Sequence, residues 1–177
     1  MGGGGPRFEA AWLIVGLGNP GEEYLRHRHN VGFWVVNELA RRAGTQPKAT
    51  GSTMHIGVGT LAGERVALVK PKTFVNLSGK AVAQALQWTG CPIERTIVIY
   101  DELDLAAGAI RVRIGIGRPT AAGEPSWDPE VVARWVLGPP TGDDKRVLDD
   151  AVIVAADAVE AVLRDGAEAA GSKFNRK

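Results

Sequence analysis

Short apolar runs that end at turn residues alternate with helical patterns along most of the chain. Residues 13–15, Leu-Ile-Val, end at Gly16, and Thr96–Tyr100 ends directly on Asp101. Runs of this length, rich in β-branched residues and bounded by turn formers, predict buried strands. Two further short runs predict a pair of strands, in a hairpin, at residues 56–58 and 66–69.

Apolar residues recur at three- and four-residue spacing in four stretches, the period of an amphipathic helix. The first, residues 31–43, follows Asn30 as a capping residue and ends at Gly44. The other predicted helices are residues 78–88, 129–136 and 143–164. The polar residues 45–53 and 120–126 predict loops.

This order of elements predicts one α/β domain with a mixed, mostly parallel twisted sheet and helices on both faces. We expect the domain to span residues 12–177 behind a flexible leader, residues 1–11. The 177 residues and 45% hydrophobic content suit one core of that size. No run approaches the length of a membrane span and no signal peptide is recognisable, so we expect a cytoplasmic protein without a membrane partner.

Charge and cysteine content narrow the function classes. A single cysteine, Cys91, excludes an internal disulfide, and no clustered cysteine-histidine spacing indicates a metal. Residues 1–118 contain 14 Lys and Arg against 9 Asp and Glu, whereas residues 119–177 contain 7 against 11. A positive first half is compatible with an RNA partner, although charge alone is weak support.

Candidate chemistry begins at residues 16–21, Gly-Leu-Gly-Asn-Pro-Gly, which follow the first strand. In open α/β sheets ligands bind at this edge. The turn also spells G-x-G-x-x-G, so a dinucleotide-binding protein is one hypothesis. That motif needs a helix at once and an acidic residue at the end of a second strand. Residues 22–29 lack an apolar helical stripe and Glu38 falls inside a helix, which disfavours it.

His29 and Asp101 both follow predicted strands and form the candidate catalytic pair. A carboxylate bonded to one ring nitrogen fixes the tautomer of a histidine base and stabilises its imidazolium. Alternatives remain, because a lone histidine is more often structural and Asp101 belongs to an acidic cluster with Glu102 and Asp104. That cluster is otherwise a solvated turn or a hard-metal site. Ser78 lacks the setting of a nucleophile, which favours direct attack by water.

Four ordered blocks resemble bacterial-type peptidyl-tRNA hydrolases. They are residues 16–30 with the G-L-G-N-P-G turn, Tyr24 and Arg28-His29-Asn30; residues 70–79, KPKTFVNLSG; residues 101–105, DELDL; and residues 113–119, RIGIGRP. The resemblance implies hydrolysis of the peptide–ribose ester of peptidyl-tRNA by a monomer that needs neither cofactor nor metal and recycles tRNA for translation. The catalytic residues that it implies are His29, Asp101, Asn19 and Asn76, and the substrate-binding residues are Tyr24, Val75, Asn76 and Arg118.

One family segment has no counterpart in this chain. After a G-x-I-R strand the family continues through a glycine-rich G-G-H-N-G segment and a helix, whereas residues 108–111 here pass almost directly into residues 113–117. The missing part includes one asparagine of the family's site. We expect either one fused strand over residues 110–117 or a defective enzyme. The alternative function is therefore a catalytically impaired peptidyl-tRNA or RNA-binding homologue.

Overall fold

Six strands form the central sheet of the computed structural model, which describes residues 7–101, 110–114, 116, 119–121 and 123–174. These strands are β1 (Trp12–Gly16), β2 (Lys48–Thr50), β3 (Met54–Leu61), β4 (Glu64–Pro71), β5 (Thr96–Tyr100) and β6 (Ile110–Arg113). A separate two-stranded ribbon consists of β7 (Thr120–Ala121) and β8 (Glu124–Pro125).

Five α-helices accompany the strands. They are α1 (Val31–Arg42), α2 (Ser78–Thr89), α3 (Pro129–Val136), α4 (Gly142–Asp165) and α5 (Ala167–Phe174). One-turn 3₁₀ helices occur at Glu22–Tyr24, Arg28–Asn30, Val75–Leu77 and Ile93–Arg95. None of the helices that the structure describes has both the length and the apolar character of a membrane span.

The strand order is β2-β3-β4-β1-β5-β6. β1 lies parallel to both β4 and β5, with Ile14 opposite Leu68 on one side and Ile97 on the other. β5 and β6 are also parallel, whereas β3 pairs antiparallel with β2 and β4. The predicted mixed, mostly parallel α/β sheet is therefore confirmed. The carboxyl ends of β1, β4 and β5 consequently meet at one edge.

Alternate residues of the buried strands enter two separate cores, as strand pleating requires. Ile14 and Leu68 face α1, α4 and α5, while Leu13 and Val15 face α2 on the other side of the sheet. All four side chains are fully buried. The helices thus cover both faces, as expected from the sequence.

Several boundaries differ from the predicted ones. The predicted loop at residues 45–53 contains β2, the loop at residues 120–126 contains β7 and β8, and α5 was not predicted. The fused strand over residues 110–117 is wrong in length, because β6 ends at Arg113. Beyond it the Ile114 amide donates to the Tyr100 carbonyl at the end of β5 at 3.1 Å, whereas residues 115 and 117 lie outside the described part of the chain.

Part of the predicted leader contacts the domain. The amides of Phe8 and Ala10 donate to carbonyl oxygens of Trp88 and Thr89, and the Ala11 amide donates to Arg65. Residues 7–11 therefore lie along the C-terminal end of α2, while residues 1–6 are outside the described part of the chain.

The start of α1 approaches the sheet closely, which requires glycine. A Cβ on Gly32 would lie 2.4 Å from the Ile99 carbonyl oxygen and 2.5 Å from that of Leu17. A Cβ on Gly16 would lie 2.2 Å from the Gly32 carbonyl oxygen. Backbone atoms, rather than flexible side chains, make these contacts, so the position of the helix start is fixed by the absence of two side chains.

We predict that Gly32→Ala lowers the free energy of unfolding by about 2–3 kcal/mol, since α1 must move away from the strands. Gly79→Ala is the matched control because Gly79 is likewise the second residue of its helix, α2, but has open space around it. That control should be neutral or stabilising by up to about 1 kcal/mol. Urea unfolding of both variants provides the measurement. Equal stabilities would contradict the close approach.

Candidate active site

The candidate site lies where the chain leaves β1, β4 and β5. Residues 17–30 follow β1, residues 72–77 follow β4, and Asp101 follows β5. Because these strands are parallel, three segments that are distant in sequence meet at one edge of the sheet. The geometry of their side chains determines what chemistry this edge supports.

His29 and Asp101 are in direct contact at this edge. Nδ1 of His29 lies 2.6 Å from Oδ2 of Asp101 across 72 residues of sequence. The histidine side chain is 18% exposed and the aspartate side chain 6%. The carboxylate is therefore shielded while the imidazole still reaches solvent, so a molecule at the surface can meet the other ring nitrogen.

Asn30 fixes the turn that precedes His29. Its Oδ1 accepts a hydrogen bond from the Asn19 amide at 2.8 Å, and its Nδ2 donates to the Asn19 carbonyl at 2.9 Å. Asn30 occupies the N-cap position of α1, as predicted, but its side chain makes no capping hydrogen bond. The expected capping role is thus wrong, because the buried amide is used to hold the glycine-rich turn.

Asn19 in turn connects the first two loops. Its Oδ1 accepts a hydrogen bond from the Val75 amide at 3.1 Å. Asn30, Asn19 and Val75 therefore form a continuous polar connection from the start of α1 to the segment after β4. An asparagine whose oxygen is engaged in this way keeps two N–H donors for another acceptor.

The segment after β4 presents apolar side chains and one amide at the surface. Phe74 and Leu77 are 52% and 49% exposed, and Val75 is half-buried. The Tyr24 ring meets Phe74 edge-on, with centroids 6.4 Å apart. Asn76 is exposed and does not cap α2, whose N-cap is Leu77. This segment thus presents an apolar wall with one amide, and Asn19 joins it to the turn that holds His29.

Arg28, immediately before His29, belongs to a block that resembles the family, but the sequence assigns it no role. It is 4% exposed. Its Nη1 donates to the carbonyl oxygens of Trp135, Gly138 and Pro139 at 3.3, 3.3 and 3.0 Å. Its Nη2 lies 3.2 Å from Asp144, and its guanidinium carbon lies 3.8 Å from the centre of the Trp135 ring. Arg28 thereby attaches the His29 turn to the connection between α3 and α4.

Some predicted positions lie outside the described residues. They are Glu102 and Asp104 of the acidic cluster, and Arg118. The residues that the structure does describe contain no group of three or more side chains suited to a metal ion. The glycine-rich turn is followed by two 3₁₀ turns, and α1 begins only at Val31. It therefore lacks the immediate helix that a dinucleotide-binding turn requires.

Comparison with known proteins identifies the family. The family model described as peptidyl-tRNA hydrolase matches residues 13–113 and 109–177. The peptidyl-tRNA hydrolase of Thermoanaerobacter pseudethanolicus is 39% identical over 191 residues, which include 93% of this chain and 99% of the relative. That of Geobacillus kaustophilus is 40% identical over 179 residues, with 86% and 92% covered.

Solved structures of peptidyl-tRNA hydrolases are also similar to this chain. An arginine-to-glutamine mutant of peptidyl-tRNA hydrolase from Acinetobacter baumannii superposes with a TM-score of 0.79 at 29% identity, covering 98% of this chain and 97% of that one. A peptidyl-tRNA hydrolase complex with n-propanol superposes with a TM-score of 0.78, also at 29% identity and the same coverage.

The matches contain a gap where the sequence lacks the family segment. The 191-residue alignment is longer than the 177 residues of the chain, so residues of the relative lie opposite a gap. The two matched ranges overlap at residues 109–113, which indicates that the family pattern is interrupted at β6. With matches on both sides of the gap covering nearly all of its length, this chain belongs to the peptidyl-tRNA hydrolase family.

Proposed function

We propose that the protein hydrolyses the ester bond between the peptide and the terminal ribose of peptidyl-tRNA. Membership of the family supports this substrate. The single structural observation that supports the reaction is the 2.6 Å contact between Nδ1 of His29 and Oδ2 of Asp101 at the carboxyl edge of the sheet. A histidine held in this way is a general base.

The proposed step starts with neutral His29. Its Nδ1–H donates to the Asp101 carboxylate, which leaves the lone pair of Nε2 available. Nε2 takes a proton from water, and the resulting hydroxide attacks the ester carbonyl carbon. When the tetrahedral intermediate collapses, the bond from carbonyl carbon to ribose oxygen breaks. The imidazolium, stabilised by Asp101, returns its proton to that oxygen.

The neighbouring side chains have proposed roles in holding the substrate. The free N–H donors of the Asn19 and Asn76 amides are suited to the peptide and to the ester carbonyl, where negative charge develops. Tyr24 and Val75 supply the apolar wall against the substrate. Arg118 is proposed to bind the tRNA, although it lies outside the described residues.

A catalytically impaired peptidyl-tRNA or RNA-binding protein is the second candidate, and the interrupted family pattern at residues 109–113 favours it. Against it, the described His29–Asp101 pair comes entirely from segments before the interruption. We therefore prefer an active, monomeric, cytoplasmic enzyme that binds tRNA and returns it to translation. Peptide release from purified peptidyl-tRNA in a single-turnover assay separates the two candidates.

We predict that His29→Ala lowers the hydrolysis rate by roughly 10²–10⁴-fold, because the proton acceptor is lost. Asp101→Asn should reproduce much of this loss. His27→Ala is the matched control, since His27 packs on the Tyr24 ring and is not the partner of Asp101. Single-turnover rates, with circular dichroism to verify folding, provide the test. A folded His29→Ala variant with normal turnover would remove the mechanism.

Arg28→Met should lower kcat by roughly 10²-fold while KM changes little, because His29 loses its attachment but the substrate contacts remain. The same change should lower the free energy of unfolding by about 2–3 kcal/mol, since carbonyl groups lose their donor. Arg26→Met, an exposed arginine two residues earlier, is the control and should leave both quantities unchanged. A rise in KM alone would instead indicate that Arg28 contacts substrate.

Exhaustive EDTA treatment should leave the rate unchanged, because the proposed step uses a histidine base and amide donors only. The measurement compares treated enzyme with enzyme supplied with Mg²⁺, Mn²⁺ or Zn²⁺. Loss of activity that a divalent ion restores would require Asp101 to be reinterpreted, together with Glu102 and Asp104, as a metal ligand.

A further inference from the structure

Three basic side chains share one face of the β3–β4 hairpin next to the candidate active site. His55 and Lys70 are directly opposite each other in the antiparallel register, so their side chains point to the same side. Lys72 lies two residues further on, and its amide extends the ladder by donating to the Thr53 carbonyl at 2.7 Å. We call His55, Lys70 and Lys72 the basic cluster.

The basic cluster faces α1 and has no carboxylate partner there. Nζ of Lys70 donates to the Asn37 side-chain oxygen at 2.7 Å, a neutral acceptor. The nearest acid along that helix is Glu38, whose carboxylate is engaged by Arg41 and Arg42. Within the described part of the chain, neither Lys70 nor Lys72 takes part in an ion pair.

The proximity of these positive charges is unfavourable in the absence of an anion. Burial lowers the pKa of His55, and Lys70 and Lys72 lower it further by repulsion. Burial also lowers the pKa of Lys70. All three side chains nevertheless remain partly accessible to solvent. Lys70 and Lys72 are cations that the described chain does not neutralise, and solvent can reach both of them and the His55 imidazole, so the basic cluster is suited to an external anion.

The position of the basic cluster indicates which anion. Nζ of Lys70 lies 6.0 Å from the Phe33 ring centre, and a Cβ on Gly18 would lie 3.0 Å from that same ring. Asn37, the partner of Lys70, is seven residues after Asn30, a distance of about 10 Å along α1. Phosphates along one stacked strand are spaced about 3.4 Å apart along its axis. About three nucleotides of a stacked strand therefore span the distance between these two asparagines, so the basic cluster lies within a few nucleotides of the turn that holds His29.

We propose that His55, Lys70 and Lys72 bind backbone phosphates of the tRNA strand that carries the ester, within the first few nucleotides from the reacting bond. This inference rests on the proposed hydrolase function and assigns a tRNA-binding site to that function. Lys70 and Lys72 provide the charge. His55 provides a hydrogen-bond donor, and a bound phosphate raises the pKa of its imidazole because the negative charge favours the protonated form.

The kinetic test uses two substrates with the same peptide: peptidyl-tRNA and a phosphate-free N-acylaminoacyl adenosine ester. Lys70→Met with Lys72→Met should raise KM for peptidyl-tRNA roughly 10- to 30-fold at ~0.1 M salt, and flatten its log-log salt dependence by about 1.4. Cleavage of the phosphate-free ester should not change. Lys48→Met is the control, because Lys48 pairs with Ile56 and thus points to the opposite face. Thermal unfolding of each variant verifies folding.

Two kinetic results would overturn the proposal. One is an unchanged KM and salt slope for peptidyl-tRNA. The other is an equal loss on both substrates, which would show that the basic cluster supports the fold or contacts the peptide. If the wild-type protein cleaves neither substrate, the proposed hydrolase function fails instead. The basic cluster is then tested by salt-dependent binding of a short single-stranded RNA to the same variants.

A spectroscopic readout is independent of turnover. NMR titration of the His55 imidazole should show its pKa rising when the single-stranded RNA is added, because a phosphate offsets the repulsion from Lys70 and Lys72. Within the described part of the chain, the charged groups that act on His55 are Lys70 and Lys72, and its cross-strand neighbour on β2 is the uncharged Ala49. Lys48→Met should retain this rise. An unchanged His55 pKa at saturating RNA would contradict the proposed site.

Discussion

The two-sided attachment of the 3₁₀ turn Arg28–Asn30 is the constraint on which the candidate site depends. On one side Arg28 is bonded to the connection between α3 and α4, and on the other Asn30 is bonded to the backbone of Asn19. His29 lies between them. A side chain in a one-turn helix has little local support, so its direction is set by these long-range hydrogen bonds. The close approach of Gly32 to the strands fixes the start of α1, which directly follows this turn.

The interruption of the family pattern at β6 has a limited effect on the structure of the candidate site. The edge that bears the candidate site is built from β1, β4 and β5, all of which precede it. β6 still pairs in parallel with β5 and continues the sheet. Arg28 reaches across to α3 and α4, which follow the interruption, so both sides remain joined through the site.

The sequence predicted elements whose signals are local. The apolar run Thr96–Tyr100 forms β5, with the predicted bounds. Helix α3 spans residues 129–136, the bounds that the helical spacing of its apolar residues and the proline at its start predict, and the Asp128 carboxylate caps it. The sequence could not predict the partners of Arg28, because they lie 107 to 116 residues away and no pattern links them. Asparagine before a helix is expected to cap it with its side chain, but the Asn30 amide instead bonds to the backbone of Asn19, a contact that the local sequence does not show. The short strand β2 forms because it pairs with β3. The polar residues 45–53, which contain it, have no strand pattern of their own and predicted a loop.

The structure also changes what the positive charge of the first half means. A count of residues treats all arginines and lysines as available for RNA, but many are already engaged. Arg28 is buried against carbonyl groups, while Arg41 and Arg42 are bonded to Glu38, whose pKa they lower to about 2. Those cations contribute to the fold and offer little to a phosphate. Attraction for RNA therefore depends on where charge is left uncompensated, and along the described hairpin that is the face bearing Lys70 and Lys72.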